Sequence, residues 1–300
     1  MQKINIIVFS GVQNLPNFAA EEQGFFEKRG LSVETAFTKS SEQMRGGLAD
    51  GTYDLALGAV DNAVAMVEDA HHDVVIVSGL DQSFNKLVVR PEISTYEDLR
   101  GKILGVDAPD TAFALIVYDM LARKGLKAGD YTVQPVGATG FRLEALKQGK
   151  IDFAMLNLPF NLFAQQAGLK ILVNPVDVIG PYQSVGGFAL RTWAAQHRAA
   201  LVGFLAAYVE GVRWVLNPDN RAAASRLLQE RMTLDDATTR DCIAQMLDPE
   251  TGFAVDAKLN EAGMETLLGL RARFSNRPPV PASRYVDESF YREALAAAGA

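Results

Sequence analysis

Apolar runs of strand length alternate with helix-length amphipathic segments through the first two thirds of the chain. Runs such as 4–9, 103–106 and 151–156 are strand-like, and polar turns and apolar residues with helical spacing follow the first two of them. This alternation predicts an α/β fold in which mainly parallel sheets are flanked by helices. From Thr192 onward the pattern is helical almost to the end, which predicts a C-terminal helical extension.

One helix-stop-strand pattern occurs twice in the same order. The sequence L-x-x-G-x-x-D-x-A occupies 48–56 and again 146–154, which lie 98 residues apart. A Gly-Leu pair that ends a predicted helix recurs in the same way, at 30–31 and 125–126. The recurrence predicts two similarly built α/β lobes.

The chain is expected to cross between these lobes twice. Pro91 interrupts a strand-like run and predicts the first crossover, and Gly186 and Gly187 predict a hinge where the chain returns. The predicted bounds are 1–89 and 189–300 for lobe I and 90–188 for lobe II, with hinges near 87–91 and 185–190, and with the helical extension on lobe I.

Composition excludes several classes of function. The chain has 300 residues, a net charge of −7 and no basic cluster, so nucleic acid is not an expected partner. Cys242 is the only cysteine and there are three histidines, so we expect no disulfide and no metal site. No nucleotide-binding glycine motif is present, and we expect no cofactor. No apolar run approaches the roughly 20 residues of a membrane span.

Polar residues gather where predicted strands end. Because the carboxyl ends of parallel strands share one edge of a sheet, these residues are candidates for a ligand site between the lobes. Ser40 and Asp110 also fit simple helix caps. The spacing of Ser83 and Lys86 resembles a catalytic pair, but no second element supports it, so no catalytic residue is predicted. The candidate ligand-binding residues are Gln13, Asn14, Ser40, Ser41, Asp61, Asn62, Asp81, Gln82, Asp110, Thr111, Ala112, Thr139, Asn157 and Tyr182.

Four segments give the chain a resemblance to a known family. They are FAAEEQGFF with GLSVE (18–34), DLRGK (98–102), GVD (105–107) and A-L-x-x-G-x-x-D (145–152). In order and spacing the chain resembles the type II periplasmic solute-binding proteins of ABC transporters, in the branch of taurine, sulfonate, nitrate and thiamine-pyrimidine (NMT1/THI5-like) binders. The resemblance implies two lobes around one small molecule, a non-catalytic role, and an ABC transporter membrane permease as partner.

The charge of the ligand is inferred from the candidate residues. Asp61, Asp81 and Asp110 follow predicted strands, whereas Lys39 and Lys86 are the only basic residues near them. A cleft short of positive charge predicts a nitrogen-bearing solute, aromatic or pyrimidine-like, over a simple oxyanion. The aromatic residues available to stack on a flat ring are Phe113, Phe160 and Tyr182.

Alternative functions remain open from the sequence. They are a binder of a sulfonate, carboxylate or nitrate anion, an enzyme on the same scaffold resembling the thiamine-pyrimidine synthases, and a cytosolic sensor. The enzymes of that kind rely on a cysteine-rich segment that Cys242 alone does not supply. The chain starts in a strand at Lys3 without a signal peptide, so we expect a periplasmic protein whose signal is not in this chain, or a cytoplasmic one. We expect a monomer.

Overall fold

The computed structural model describes residues 1–81 and 83–299. Its strands are β1 (Gln2–Val8), β2 (Leu31–Phe37), β3 (Leu55–Ala59), β4 (Val74–Ser78), β5 (Lys86–Val89), β6 (Ile103–Val106), β7 (Thr132–Pro135), β8 (Phe153–Leu156), β9 (Lys170–Val173) and β10 (Val185–Leu190). Its helices are α1 (Leu15–Glu22), α2 (Ser41–Ala49), α3 (Asp61–Glu68), α4 (Ala112–Arg123), α5 (Thr139–Lys147), α6 (Phe160–Gln166), α7 (Val176–Ile179), α8 (Arg191–Gln196), α9 (Arg198–Leu216), α10 (Arg221–Met232), α11 (Asp236–Met246), α12 (Glu261–Ser275) and α13 (Glu288–Ala297).

These strands form two five-stranded sheets with the same topology. Sheet 1, in lobe I, has the order β2-β1-β3-β10-β4, and sheet 2, in lobe II, has the order β7-β6-β8-β5-β9. In each sheet three strands pair in parallel, and the strand that comes from the other part of the chain, β10 or β5, pairs antiparallel. The predicted two-lobed α/β fold is confirmed.

The repeated aspartate makes the same hydrogen bond in both lobes. Asp54 Oδ2 accepts a hydrogen bond from the backbone amide of Asn5 at 2.7 Å, and Asp152 Oδ2 accepts one from the amide of Ile103 at 2.8 Å. The donor and the acceptor of this hydrogen bond are both shifted by 98 residues between the lobes. The glycine of the pattern has a positive φ in both copies, 78° and 67°, which glycine adopts without strain. The sequence repeat is therefore a repeat of the framework.

The change of lobe lies at other positions than those predicted. β5 (Lys86–Val89) belongs to sheet 2, and β10 (Val185–Leu190) belongs entirely to sheet 1. The crossovers are therefore 79–85 and 174–184, whereas the prediction ended lobe I at 89 and lobe II at 188. Pro91 follows β5 within lobe II and does not mark the crossover, since the amide of Arg90 still donates to the carbonyl of Asp152 at 3.0 Å.

The two glycines of β10 have a packing role. A Cβ atom on Gly186 would lie 2.2 Å from the carbonyl oxygen of Ser78, and one on Gly187 would lie 2.8 Å from the Ser78 hydroxyl. Neither residue has a positive φ. Glycine is needed here because β10 passes close to the end of β4, which accounts for the pair without a hinge.

The C-terminal helices are built around α9. This 19-residue helix is long and apolar enough to cross a membrane by length and composition; its most apolar 18-residue window has a mean hydropathy of 1.5, and 61% of that window is buried. Residues such as Leu201, Phe204 and Leu205 lie in the core of lobe I, where α9 packs against α1 and α13. These contacts are those of a core helix, although the sequence analysis found no run approaching this length.

Helix α12 contacts both lobes, contrary to the expectation that the extension packs on lobe I. Asp119 of α4 is fully buried and pairs with Arg123 and with Arg273 of α12. The ring of Phe274 meets that of Tyr118 edge-on, with 5.8 Å between the ring centroids. One apolar core runs through sheet 1, sheet 2 and α12. The extension therefore joins the lobes on the side of α4.

One strand differs from the sequence analysis. β9 (Lys170–Val173) was not predicted, since a four-residue, partly buried edge strand carries little pattern. Before β2, α1 ends at Glu22 and a 3₁₀ turn follows at Glu27–Arg29.

Candidate functional site

A cavity lies between the two lobes, at the ends of the central strands. It contains about 630 Å³ of space that protein atoms do not fill, its mouth included. The residues that line it are Phe9, Gln13, Ser41, Gly58, Ala59, Asn62, Asp81, Phe84, Asn85, Asp107, Thr111, Ala112, Phe113, Thr139, Arg142, Asn157, Ser184 and Val185.

Direct contacts between the lobes close the cavity. The amide of Ala138 in lobe II donates to the carbonyl of Lys39 in lobe I at 2.9 Å. The amide of Ser41, at the start of α2, donates to Asp107 Oδ2 of lobe II at 2.9 Å. The structure is thus a closed form, in which the first amide of a lobe I helix is satisfied by a lobe II carboxylate.

Much of the lining comes from equivalent positions of the two lobes. Four pairs of lining residues are separated by the 98 residues of the framework repeat, namely Phe9 and Asp107, Gln13 and Thr111, Ser41 and Thr139, and Ala59 and Asn157. Both lobes therefore present the same strand-exit loops and helix starts to the cavity.

Of the fourteen predicted ligand-binding residues, thirteen are described, and the structure brings eight of these together in this lining; their role in binding stays a prediction. Gln82, which the sequence analysis also named, lies outside the described residues. The eight are Gln13, Ser41, Asn62, Asp81, Thr111, Ala112, Thr139 and Asn157.

The structure does not place Asn14 or Ser40 in the lining, because each side chain serves the local backbone. Asn14 Nδ2 donates to the carbonyls of Phe9 at 2.8 Å and Gly11 at 3.1 Å, and it holds the loop after β1. Ser40 Oγ accepts from the amide of Gln43 at 3.1 Å and caps α2.

Asp61 and Tyr182 belong to a buried network outside the lining. Asp61 is only 2% exposed, and its two oxygens accept from Nε and an Nη of Arg271 in α12, at 2.6 Å and 2.7 Å. This bidentate pair satisfies the carboxylate completely. Tyr182 packs in the adjoining core, where burial and the nearby Asp61 raise the pKa of its phenol well above the usual value.

Asp110 lies on the surface, where it pairs with Arg45 of lobe I at 3.1 Å, and 53% of its side chain is exposed. Of the three aspartates on which the ligand charge was predicted, only Asp81 therefore lines the cavity. Lys86 lies instead in a groove with Asp177 and Asp248. The predicted charge balance of the cleft was wrong in its particulars.

The cavity holds a cation that the sequence analysis missed. Arg142 of α5 is only 3% exposed and donates to the carbonyls of Met155 at 3.2 Å and Gly137 at 2.5 Å and to Thr139 Oγ1 at 2.9 Å. Burial lowers the pKa of Arg142 to about 10, and the nearby Asp107 opposes that change. The guanidinium thus stays charged at neutral pH. An arginine on a helix usually indicates a solvated face, so no sequence signal singled it out.

Asp81 differs from the other acids because it is buried without a cation. Its side chain is 2% exposed, Oδ1 accepts from the amide of Ser83 at 3.0 Å, and Oδ2 has no partner within the described part of the chain. Burial raises the pKa of Asp81 to about 7, and the nearby polar groups of Ser184, Ser83 and Val185 oppose that rise. The carboxyl therefore titrates near neutrality.

Three phenylalanines give the cavity its apolar wall. Phe9, Phe84 and Phe113 all line it. Phe113 was named from the sequence as a residue that could stack on a ring, whereas Phe160 and Tyr182 do not line the cavity; Phe160 packs edge-on against Phe163.

Neither a metal centre nor a reactive thiol is found in the described chain. Residues 1–81 and 83–299 contain no group of three or more His, Cys, Asp or Glu side chains placed to hold a metal ion. Cys242 is buried in the core of lobe I, and burial raises its thiol pKa to about 12, which makes it a poor nucleophile.

Two lobes that enclose a cavity at the strand ends define the fold of the type II periplasmic binding proteins. The model of the NMT1/THI5-like family matches residues 12–222, and the chain belongs to this family. No curated protein matches the sequence.

Solved structures share the fold over almost the whole chain. The alkanesulfonate-binding protein SsuA from Xanthomonas axonopodis pv. citri, bound to MOPS, is 16% identical with a TM-score of 0.78, and the match covers 96% of this chain and 98% of that one. The periplasmic nitrate-binding protein NrtA from Synechocystis PCC 6803 is 15% identical with a TM-score of 0.82, covering 100% and 89%. The desulfurization enzyme DSZB is 15% identical with a TM-score of 0.66, covering 98% and 99%.

Proposed function

We propose that this protein is a solute-binding protein that captures one small organic molecule between its lobes and delivers it to the membrane permease of an ABC transporter. The observation that carries the proposal is the closed cavity, which both lobes line with equivalent residues and which contains polar atoms without protein partners. Enclosure between two lobes is the usual arrangement for capture of a small molecule. On this proposal the protein works in the periplasm as a monomer.

For the solute, we propose a nitrogen-bearing molecule with a flat, apolar part. The three phenylalanines of the cavity can pack against a ring. The unpaired side-chain oxygens of the cavity wall can accept hydrogen bonds from N–H donors. This argument replaces the one from the number of aspartates, because Asp61 and Asp110 do not line the cavity. An anion is the alternative, and Arg142 is the group that favours it.

A thermal-shift screen tests the binding function. Matched sets of amines, pyrimidines, sulfonates and carboxylates are compared, and a solute at 100 times its Kd adds about 2.7 kcal/mol of stability. The variant Ala112→Leu narrows the cavity and is expected to abolish the shift. Ala222→Leu makes the same change on an exposed position of α10 and is expected to keep it. A shift that survives Ala112→Leu unchanged contradicts binding in this cavity.

An enzyme on the same scaffold is the rival function. Among the described residues, Asp81 is the lining group whose pKa, about 7, suits proton transfer. Mass spectrometry of each stabilising solute before and after prolonged incubation separates the two functions. Recovery of the unchanged solute supports a binding protein, and formation of a product supports an enzyme.

A further inference from the structure

Three side-chain oxygens in the cavity wall lack a hydrogen-bond donor. They are Asp81 Oδ2, Asn85 Oδ1 and Asn157 Oδ1, each buried and without a partner among residues 1–81 and 83–299. Asp81 and Asn85 are 2% and 1% exposed, and all three residues line the cavity. Buried acceptors are rarely left unpaired in folded proteins. Three of them around one cavity indicate that a bound molecule supplies the donors.

The hydrogen bonds of Asn157 fix which of its side-chain atoms is the free one. Gln13 Nε2 donates to the carbonyl of Phe9 at 3.1 Å, which orients the amide of Gln13. Its Oε1 then accepts from Asn157 Nδ2 at 3.4 Å. The atom of Asn157 that remains unpaired is therefore the oxygen.

Asn85 and Asp81 are held in a similar way by Ser83. Asn85 Nδ2 donates to Ser83 Oγ at 2.9 Å, and the amide of Ser83 donates to Asp81 Oδ1 at 3.0 Å. These bonds use one N–H of Asn85 and one oxygen of Asp81. The amide oxygen of Asn85 and the second carboxylate oxygen of Asp81 are the atoms without a partner.

The charged and titratable groups around Asp81 do not neutralise it. The amide of Ser83 donates to Oδ1 of the carboxyl group, and the Ser184 hydroxyl, the Val185 amide and the phenol of Tyr208 on α9 lie near the group. No ion pair joins Asp81 to a lysine or arginine of the described chain. Asp81 is thus the site in the wall where a cationic ligand group would gain most.

We propose that Asp81, Asn85 and Asn157 form an acceptor pole that binds a cationic N–H donor group of the solute, such as an amidinium, a guanidinium or a primary ammonium. This inference rests on the proposed solute-binding function and names the chemical class that the site selects. An amidinium presents several donors and a positive charge to the three oxygens at once. The phenylalanines of the wall then contact the apolar part of the molecule.

Benzamidine, benzamide and benzoate test the acceptor pole because they differ in one group of nearly equal size. Benzamidine is a cation with donors only, benzamide is neutral with donors and an acceptor, and benzoate is an anion with acceptors only. By calorimetry at pH 8, we expect benzamidine to bind at least about tenfold more tightly than benzamide, with benzoate weakest. Stronger binding of benzoate, or no binding of benzamidine, overturns the proposal.

Asp81→Asn removes the charge and replaces the free oxygen by a donor. We expect the benzamidine affinity to fall by about tenfold or more, and its advantage over benzamide to disappear. Asp73→Asn is the matched control, because Asp73 is exposed on the surface and pairs with Arg191. An equal affinity in the Asp81→Asn variant and the parent protein contradicts the proposal.

Proton release gives a readout on the unmodified protein that does not depend on the variant folding. A bound cation lowers the pKa of Asp81, so benzamidine binding at pH 7 is expected to release protons, seen as a dependence of the heat on the buffer. Binding without release of protons contradicts the role of Asp81.

The solute screen distinguishes failure of this inference from failure of the proposed function. If only sulfonates or carboxylates bind, the acceptor pole is wrong and solute binding stands. If no solute of the four-class screen binds, the proposed function itself fails.

Discussion

The two lobes have the same framework but contribute different chemistry to the cavity. Position by position at the 98-residue spacing, Asp54 and Asp152 make the same hydrogen bond, whereas the lining changes character. Lobe I has Phe9 and Ala59 where lobe II has Asp107 and Asn157, and the core residue Met44 is the counterpart of Arg142. The repeated residues hold the strands together, and the residues that changed are those around the cavity. At these equivalent positions lobe I has the apolar residue and lobe II the polar one.

The acceptor groups of the cavity come partly from segments that have no counterpart in this repeat. Asp81 and Asn85 lie on the crossover from lobe I to lobe II, and Ser184 lies on the return. A duplicated framework therefore does not constrain them. We therefore expect the lining residues that differ between the lobes, together with those on the crossovers, to determine which solute the site selects.

The largest expected effect comes from an ion pair that only lobe I possesses. The position equivalent to Asp61 in lobe II is Pro159, so the pair with Arg271 has no copy. Arg271→Met leaves Asp61 buried without a cation and is expected to cost about 3–5 kcal/mol of unfolding free energy in urea titrations. Adding Asp61→Asn is expected to recover part of the loss. A cost below about 1 kcal/mol for Arg271→Met would show that the pair is not structural.

The second prediction concerns Asp81, the carboxylate on the crossover, which has no counterpart in the repeated framework. Burial raises the pKa of Asp81 from 3.8 to about 7, so the folded protein holds this proton more tightly than the unfolded chain. Stability from this group is therefore present at acid pH and is lost as the pH rises from about 4 to 7. Relative to Asp81→Asn, the parent protein is expected to lose about 2–4 kcal/mol across that range. Parallel pH profiles of the two proteins, measured by urea unfolding, would contradict it.

The smallest effect tests the equivalence of the lobes directly. Asp54→Ala and Asp152→Ala each remove a carboxylate from a strand amide and are expected to cost about 1.5–3 kcal/mol apiece. Because the sites lie in different lobes, the two costs are expected to add in the double variant within about 0.5 kcal/mol. Asp→Asn at the same positions keeps an acceptor and serves as the control. Clearly unequal costs would show that the shared hydrogen bond supports the lobes differently.

The sequence predicts the framework well because the framework is local. The repeat at 48–56 and 146–154 sets each helix stop and the following strand within nine residues. Ser41 and Thr139 both line the cavity, since helix starts after strands share one edge of a sheet. The positions of the crossovers were missed because strand pairing with distant segments, and not Pro91 or the glycines of β10, decides them.

The sequence also could not predict which buried charges have a partner in the folded protein, because the partners come from distant parts of the chain. Asp61 and Asp81 are equally buried, at 2% exposure each, but Arg271, which neutralises Asp61, lies 210 residues away along the chain. Nothing local to either aspartate distinguishes them. Arg142 shows the converse case, because the backbone carbonyls that surround it come from the strand exits of β7 and β8. Pairing across the fold, which a single sequence does not display, separates structural charges from those left for a ligand.

The hydrogen bonds that join the lobes over the cavity have a consequence for the speed of capture. The bonds from Ala138 to Lys39 and from Ser41 to Asp107 form between protein groups alone, so they favour closure whether or not the cavity is filled. At about 0.5–1.5 kcal/mol each, two such bonds shift the opening equilibrium by roughly 5- to 150-fold towards the closed population. A filled protein then retains its cargo longer, but an incoming molecule meets fewer open copies and associates more slowly. The hydrogen bonds of the same two amides therefore lengthen the retention of the solute and slow its uptake.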